Sequence, residues 1–314
     1  MTFEFHPQEA EQRRTPSAID PERYMSKKEI AERDYEEVVD WREKQYDENV
    51  KENPKAESMR DNLKVHNGIV LDYALDLIEK QGLSPEEKTE AIIATMMHDG
   101  GKLSSDILDH HTKGVEYAGK MLDEMMGQKF NGVEITEEIK QKIKEAIERH
   151  MNHPYLVEKN KGERFPEPQG KVDKVVFDAD MLANIGFKNV AFRLINEGNF
   201  NEDQKKAQEN GTTTMEEMFK NVMQGVEQLD KVVLSPEAKE IAGERIGNAR
   251  EIFEHLKTRL REIQDMFSAE GRFDLSSIKA KGGTELVKKL LNEEIEKAAI
   301  ELGIDSKIVG KLKM

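Results

Sequence analysis

The sequence predicts an all-α protein on three observations. Apolar residues recur at helical spacing along most of the 314 positions, no segment alternates as a strand would, and no internal repeat appears. Helices of this kind bury their stripes by packing as a bundle. With 37% hydrophobic residues, the chain can build one substantial core and still carry appendages at its ends.

Residues 1–60 read as a charged arm, with Pro7, Pro16 and Pro21 early and little apolar stripe between Lys27 and Glu48. The arm is expected to fray or to pack peripherally. The bundle domain follows, over residues 61–267. Between His66 and Glu79, the residues Ile69, Val70, Tyr73, Leu77 and Ile78 share a helical face, and His66 joins it one turn before Val70. Residues 86–99 are apolar nearly all round, as a central buried helix requires, and Gly100-Gly101 supplies its stop.

From His110 to Met126 the stripe is Val115, Ala118, Leu122 and Met125. His111 extends that stripe and His110 stands four residues before Gly114, so either histidine can face the centre. Thr136 has the chemistry of an N-cap ahead of Ile139, Ile143, Ala146 and Ile147, and His150 falls on the same face. A loop containing Pro and Gly, from Asn152 to Gly170, leads to Val172, Val175, Val176, Ala179, Leu182 and Ala183. Asp180, one turn after Val176, leans toward that stripe. Asp178 follows Lys171 and Lys174 on the other side and reads as a surface residue or one standing behind the inward face.

After a polar segment from Glu197 to Thr214, two amphipathic stretches, Met215 to Leu234 and Pro236 to Phe267, complete the domain. Residues 268–314 comprise a linker and a C-terminal helix opened by Thr284, with Leu286, Val287, Leu290, Leu291, Ile295 and Ala298 on its apolar side. Such a helix docks on the bundle or pairs with a second copy of the chain, which makes a homo-oligomer through the terminal helices an open expectation.

Composition narrows the partners. The formal charge is 48 minus 63, or −15, so a phosphate-rich polymer is repelled over most of the surface and nonspecific nucleic-acid binding is not expected. No apolar run of about 18 residues predicts a membrane span. Glu4, Glu9 and Glu11 do not fit the basic-then-apolar order of a signal peptide. A cytoplasmic chain is the default expectation. With no cysteine present, any metal site must use imidazole and carboxylate donors.

The functional signal is His98-Asp99, two potential metal ligands side by side at the end of an apolar helix. Burying an imidazole beside a carboxylate is costly unless both are hydrogen-bonded or coordinated, and one divalent cation satisfies both. His66, His110 or His111, His150 and Asp180 each lie on or beside an apolar stripe, so five segments can converge on one centre. His153, before Pro154, reads as a loop residue at the rim of such a site. Lys102 can interact with the carbonyls ending its helix or with a bound anion.

In their order, His66, His98-Asp99 and Asp180 resemble the minimal pattern of the HD-domain metal-dependent phosphohydrolases, an all-helical superfamily, over about residues 61 to 265. His98-Asp99-Gly100-Gly101-Lys102 is similar to the superfamily's His-Asp-x-Gly-Lys turn, which implies that Lys102 lies near substrate phosphate. The segment from Val175 to Gly186 resembles the Asp-Ala-Asp-Arg-Leu-Asp-Ala-Ile-Gly block of a bacterial subgroup that includes nucleotide pyrophosphohydrolases, and Ser235 to Arg245 is similar to a later helix of that subgroup. Met181 stands where the subgroup has Arg, and Ala183 where it has a third Asp. In members with two metals, a His four residues before a Gly and one further His supply the second ion's ligands. His110-His-Thr-Lys-Gly114 fits that spacing, so the resemblance points to His110 and the apolar stripe to His111.

The resemblance implies one or two divalent ions (Mn, Fe, Co, Ni or Zn) held by His66, His98, Asp99 and Asp180, with His110 and His150 on a second ion. Hydroxide generated on the metal would attack a phosphoanhydride or phosphodiester of a small substrate, a nucleotide first among them. Asp99 and Lys102 would serve that chemistry, and Lys102 with His153 would contact the substrate. Two other readings use the same residues: an HD-type di-iron oxygenase, and a non-catalytic helical module stabilised by metal.

Overall fold

The computed structural model describes residues 25–53, 56–184, 197–266, 268–269, 272–273, 283–306, 309–310 and 313. The early prolines of the arm and most of the 268–283 linker lie outside them. Twelve helices are described in chain order: α1 (Lys27–Asp34), α2 (Glu36–Glu52), α3 (Glu57–Gln81), α4 (Pro85–Met97), α5 (His110–Glu124), α6 (Glu137–Arg149), α7 (Pro154–Lys159), α8 (Lys171–Ala183), α9 (Glu197–Asn210), α10 (Thr214–Val232), α11 (Pro236–Met266) and α12 (Gly283–Leu302). Two antiparallel pairs of two-residue strands accompany them, β1 (Lys129–Phe130) with β2 (Val133–Glu134), and β3 (Ser268–Ala269) with β4 (Arg272–Phe273). The all-α class therefore holds.

Helix α4 is the axis of the bundle. Ser84 and Glu87 start it with a capping box, Ser84 N donating to Glu87 Oε2 at 2.9 Å and Glu87 N to Ser84 Oγ at 3.2 Å, and Pro85 fits the first helical turn. Every residue from Thr89 to Met97 is buried. Around α4 pack α3, α6 and α8, with α5 laid on α6. Helices α9 to α12 form a neighbouring layer that reaches the first through α11 and α8. Thr136 caps α6 as the sequence suggests, its Oγ1 accepting from Ile139 N at 3.3 Å.

Three segments depart from the sequence reading, and a fourth takes one of its two alternatives. The arm's α2 does not fray: Val38, Arg42, Tyr46 and Asn49 are buried on one face, and Tyr35 ahead of it stacks on Phe130 with ring centroids 5.4 Å apart. Between Phe130 and Val133, Asn131 and Gly132 both take positive φ, 49° and 85°, the conformation a two-residue hairpin turn needs. The polar stretch after Glu197 is helical as α9, seated by buried Ala207 and by Asp203, which accepts from Asn221 Nδ2 at 2.6 Å. The C-terminal helix α12 packs on α11, burying Val287, Leu291, Ile295, Ala298 and Ala299.

Candidate metal centre

The site lies where five helix ends and faces meet. His66 projects from the middle of α3, His98 and Asp99 close α4, His110 opens α5, His150 closes α6, and Asp180 stands in the last turn of α8. All six are buried, none more than 7% exposed. Their approach depends on glycine. A Cβ on Gly101 would meet His110 O at 2.2 Å and Gly114 N at 2.9 Å, so the turn after His98-Asp99 lies flush on the start of α5 as only glycine allows. Gly114 in turn lets α5 approach His98 O, which a Cβ there would meet at 3.3 Å.

Six side chains form two groups of three. His66, His98 and Asp180 offer ligand atoms within 4.8 Å of one another, as do Asp99, His110 and His150. In the first group His66 Nε2 lies 2.9 Å from Asp180 Oδ1 and His98 Nε2 lies 3.7 Å from it. In the second, His110 Nε2 and His150 Nε2 are 3.1 Å apart. Asp99 spans both: Oδ2 is 3.4 Å from His66 Nε2 and 3.5 Å from His98 Nε2, while Oδ1 is 3.4 Å from His110 Nε2 and 3.8 Å from His150 Nε2. Ligands about 2.1 Å from one ion at tetrahedral or octahedral angles stand roughly 3.0–3.4 Å apart, so these spacings fit coordination.

The tautomers fit as well. His98 Nδ1 donates to Thr95 O at 2.7 Å, His110 Nδ1 to Ile107 O at 2.6 Å and His150 Nδ1 to Ile147 O at 2.5 Å, each three residues back along the chain. With the proton on Nδ1, a neutral ring turns a bare Nε2 lone pair inward. His110 and His150 then face each other lone pair to lone pair, and His98 Nε2 and Asp99 Oδ1 are buried without a hydrogen-bond partner. Converging lone pairs in a buried site repel one another, and a cation reverses that cost. The residues present therefore fit one or two divalent ions with imidazole and carboxylate donors.

Electrostatics keeps the two carboxylates and His150 in their ligating forms, while His98 is drawn toward its protonated form, which a bound cation would displace. Burial would raise the carboxyl of Asp99, but His98, Lys102 and His66 hold it well below the usual range. Asp180 is likewise held well below by His66 and His98 against burial. Burial, reinforced by His110 and His98, drives His150 down to about 3, so its ring is neutral at pH 7. For His98, burial favours the neutral ring but Asp99 and Asp180 outweigh it and raise the pKa.

Of the two histidines opening α5, the structure brings His110 into the cluster and leaves His111 outside. His111 is half-buried, its ring edge-on to Phe165 at 5.5 Å and its Nε2 3.4 Å from Thr112 Oγ1. Lys102 Nζ donates to Asp99 Oδ2 at 2.6 Å. Burial would lower its pKa, but Asp99 and Asp180 raise it, so the ammonium stays charged. His153 is half-buried in the loop after α6, where burial lowers its pKa and the charges of Asp180 and Lys102 reach it.

Of the two expectations for Asp178, on the surface or behind the inward face, the structure excludes the surface. It is fully buried and accepts from Leu234 N at 2.6 Å, Ser235 N at 2.9 Å and Ser235 Oγ at 2.6 Å, while Ser235 Oγ accepts from Ala238 N and so caps α11. Sequence reasoning missed Gly101 as the point where the turn after Asp99 lies against the start of α5, although a Gly-Gly pair followed by a Gly four residues after a His was its signal. It also missed the buried polar face of α2 that stands behind the centre. No protein-family model, curated protein or solved structure matches the chain.

Proposed function

We propose that the chain is a metal-dependent phosphohydrolase of the HD type that acts on a small phosphorylated substrate, a nucleotide first among them. One observation carries the reading: a single buried carboxylate, Asp99, turns one oxygen to each of two histidine-containing groups and receives the ammonium of Lys102 as well. His66, His98, Asp99 and Asp180 would hold one ion, and His110, His150 and Asp99 a second. When bound, such ions lower the pKa of a coordinated water and withdraw charge from a phosphoryl oxygen.

The chain's own groups supply the rest. Lys102, a quarter exposed, is a charged donor at the lip of the centre and would offset the negative charge of a phosphoryl group. His153, half-buried and within reach of the charges of Asp180 and Lys102, would contact the substrate. The buried Nδ1 contacts to Thr95, Ile107 and Ile147 keep three rings from turning as charge moves at the centre. No cysteine is present to act as a nucleophile, and a metal-activated water needs none. The net charge of −15 favours a compact substrate over a polymer, and Met181 in place of a subgroup arginine removes a fixed cation, shifting phosphate recognition toward Lys102.

The test is metal analysis of protein purified without chelator, followed by a panel of nucleoside triphosphates, cyclic nucleotides and simple phosphate esters with Mn²⁺, Co²⁺, Ni²⁺, Fe²⁺ and Mg²⁺. Metal-dependent release of phosphate, pyrophosphate or a nucleoside monophosphate is expected. Iron-specific oxygen uptake coupled to turnover would replace this reading with an oxygenase. Full metallation with no turnover of any member would replace it with a non-catalytic module.

A further inference from the structure

Helix α2 reads in the sequence as solvated charge, yet its buried face is polar and aimed at the segments that carry the centre. Arg42, Tyr46 and Asn49 are 8%, 0% and 4% exposed and fall at spacings of four and three, one face of the helix. Arg42 Nη1 donates to Met96 O at 3.3 Å, two residues before His98. The hydroxyl of Tyr46 accepts from Asn67 Nδ2 at 3.0 Å, and Asn67 is the neighbour of His66. Asn49 Oδ1 and Ser104 Oγ stand 3.4 Å and 3.0 Å from the hydroxyl of Tyr117, and Ser104 is two residues after Lys102.

Apolar contact follows the same route. Leu103, beside Lys102, lies outside the main core in a small cluster with Tyr46, Ala56 and Leu63, against which Val50 packs. The turn itself is closed by Lys102 N donating to Asp99 O at 3.0 Å, Ser104 N to Gly101 O at 3.1 Å and Ser105 Oγ to Gly101 O at 2.9 Å. These bonds fix the shape of the turn but not its place in the molecule. Its place is set by Leu103 among the residues of α2 and α3, by Ser104 on Tyr117, and by Gly101 against α5.

We infer that Tyr46 and Asn49 are positioning residues, which hold the turn bearing Lys102 and the segment bearing His66 in register with Asp99. Helix α2 is thereby part of the apparatus of the centre and not an appendage to it. The consequence for turnover rests on the phosphohydrolase reading; the consequence for the turn rests on the contacts alone. Each polar contact acts in a buried setting where leaving a partner unmatched is costly, so a small deletion on α2 is transmitted to the turn instead of being absorbed by water.

The test uses the full chain with two variants, Asn49→Ala and the milder Tyr46→Phe, alone and combined with Lys102→Met. Amide hydrogen exchange on the metal-free protein reads the positioning directly. Exchange at Lys102 and Ser104 should quicken by about tenfold in Asn49→Ala, with α6 and α8 unchanged. In metal-loaded protein kcat should fall by about tenfold with metal stoichiometry retained, and Asn49→Ala should add nothing further in the Lys102→Met background. Unchanged exchange in the turn, a uniform quickening through α6 and α8, or full additivity with Lys102→Met would overturn the inference. A wild-type protein with no hydrolytic turnover would defeat the phosphohydrolase reading instead, and the exchange result would still decide the role of α2.

Discussion

Lys102 and Asp99, three residues apart, form a 2.6 Å ion pair in which the aspartate side chain is wholly buried and the lysine side chain is 26% exposed. The pair is the point at which the buried centre meets the outside of the molecule. It also separates two tasks, because Asp99 faces the histidines while the partly exposed Lys102 supplies the positive charge beside them.

Replacing Lys102 by Met keeps the length of the side chain and removes its charge. The expected result is a fall in kcat of about 10²-fold with metal content unchanged, the loss associated with one preorganised charged donor. Steady-state kinetics with parallel metal analysis checks it. A Lys102→Met enzyme of normal kcat would show that the lysine serves only its carboxylate.

The two histidines that open α5 should separate cleanly. His110→Ala removes a donor 3.1 Å from His150 Nε2 and 3.4 Å from Asp99 Oδ1, and should lower metal stoichiometry by about one per chain. His111→Ala, whose ring lies against Phe165, should leave stoichiometry unchanged. The reverse pattern would move the second group of ligands to the stripe side of α5.

Asp178 and Asp180 stand two residues apart on α8 with opposite duties. Asp178→Ala strips three hydrogen bonds from the start of α11 and should cost about 3 kcal/mol of stability in urea unfolding, with metal content retained. Asp180→Ala should lose the ion of the first group while costing less in unfolding of the metal-free chain. Loss of metal in Asp178→Ala alone would exchange the two assignments.

Glu90 supplies a pH dependence away from the centre. Its side chain is 1% exposed, and burial raises its pKa although Lys142, 3.5 Å away, opposes the rise. The folded chain then holds a proton that the unfolded chain releases, so stability falls as pH rises from the ordinary carboxylate value through the raised one. Glu90→Gln removes that fall. Its stability relative to wild type should therefore improve as pH is taken from 4 toward 7, and a wild-type slope retained in the variant would assign the effect elsewhere.

The all-α class and the convergence on one centre were legible because both follow from helical periodicity. His66, His150 and Asp180 each sit one turn from a buried apolar residue and must share its direction. The choice between His110 and His111 was not legible, because both begin the same helix and the decision depends on how Gly101 seats the preceding turn against α5. Asp178 was left between the surface and a place behind the inward face for a related reason: a stripe argument divides a helix into inside and outside, whereas α8 is enclosed on both sides by α3 and by the start of α11. The face of α2 escaped notice because Arg42 and Asn49, which share it with Val38 and Tyr46, do not count as apolar, although the spacing is helical. The turn at Asn131-Gly132 carried a strong hairpin signal that flanks only two residues long obscured.

The central claim is that Asp99 is shared by two metal-binding groups, and metal content tests it most directly. Wild-type protein and Asp99→Ala would be loaded with Mn²⁺ or Co²⁺, desalted and analysed for metal per folded chain. The account predicts two ions in the wild type and loss of both in the variant, since the second group then keeps only His110 and His150 and the first loses the carboxylate oxygen that lies 3.4 Å from His66 Nε2 and 3.5 Å from His98 Nε2. Full occupancy in Asp99→Ala would contradict it.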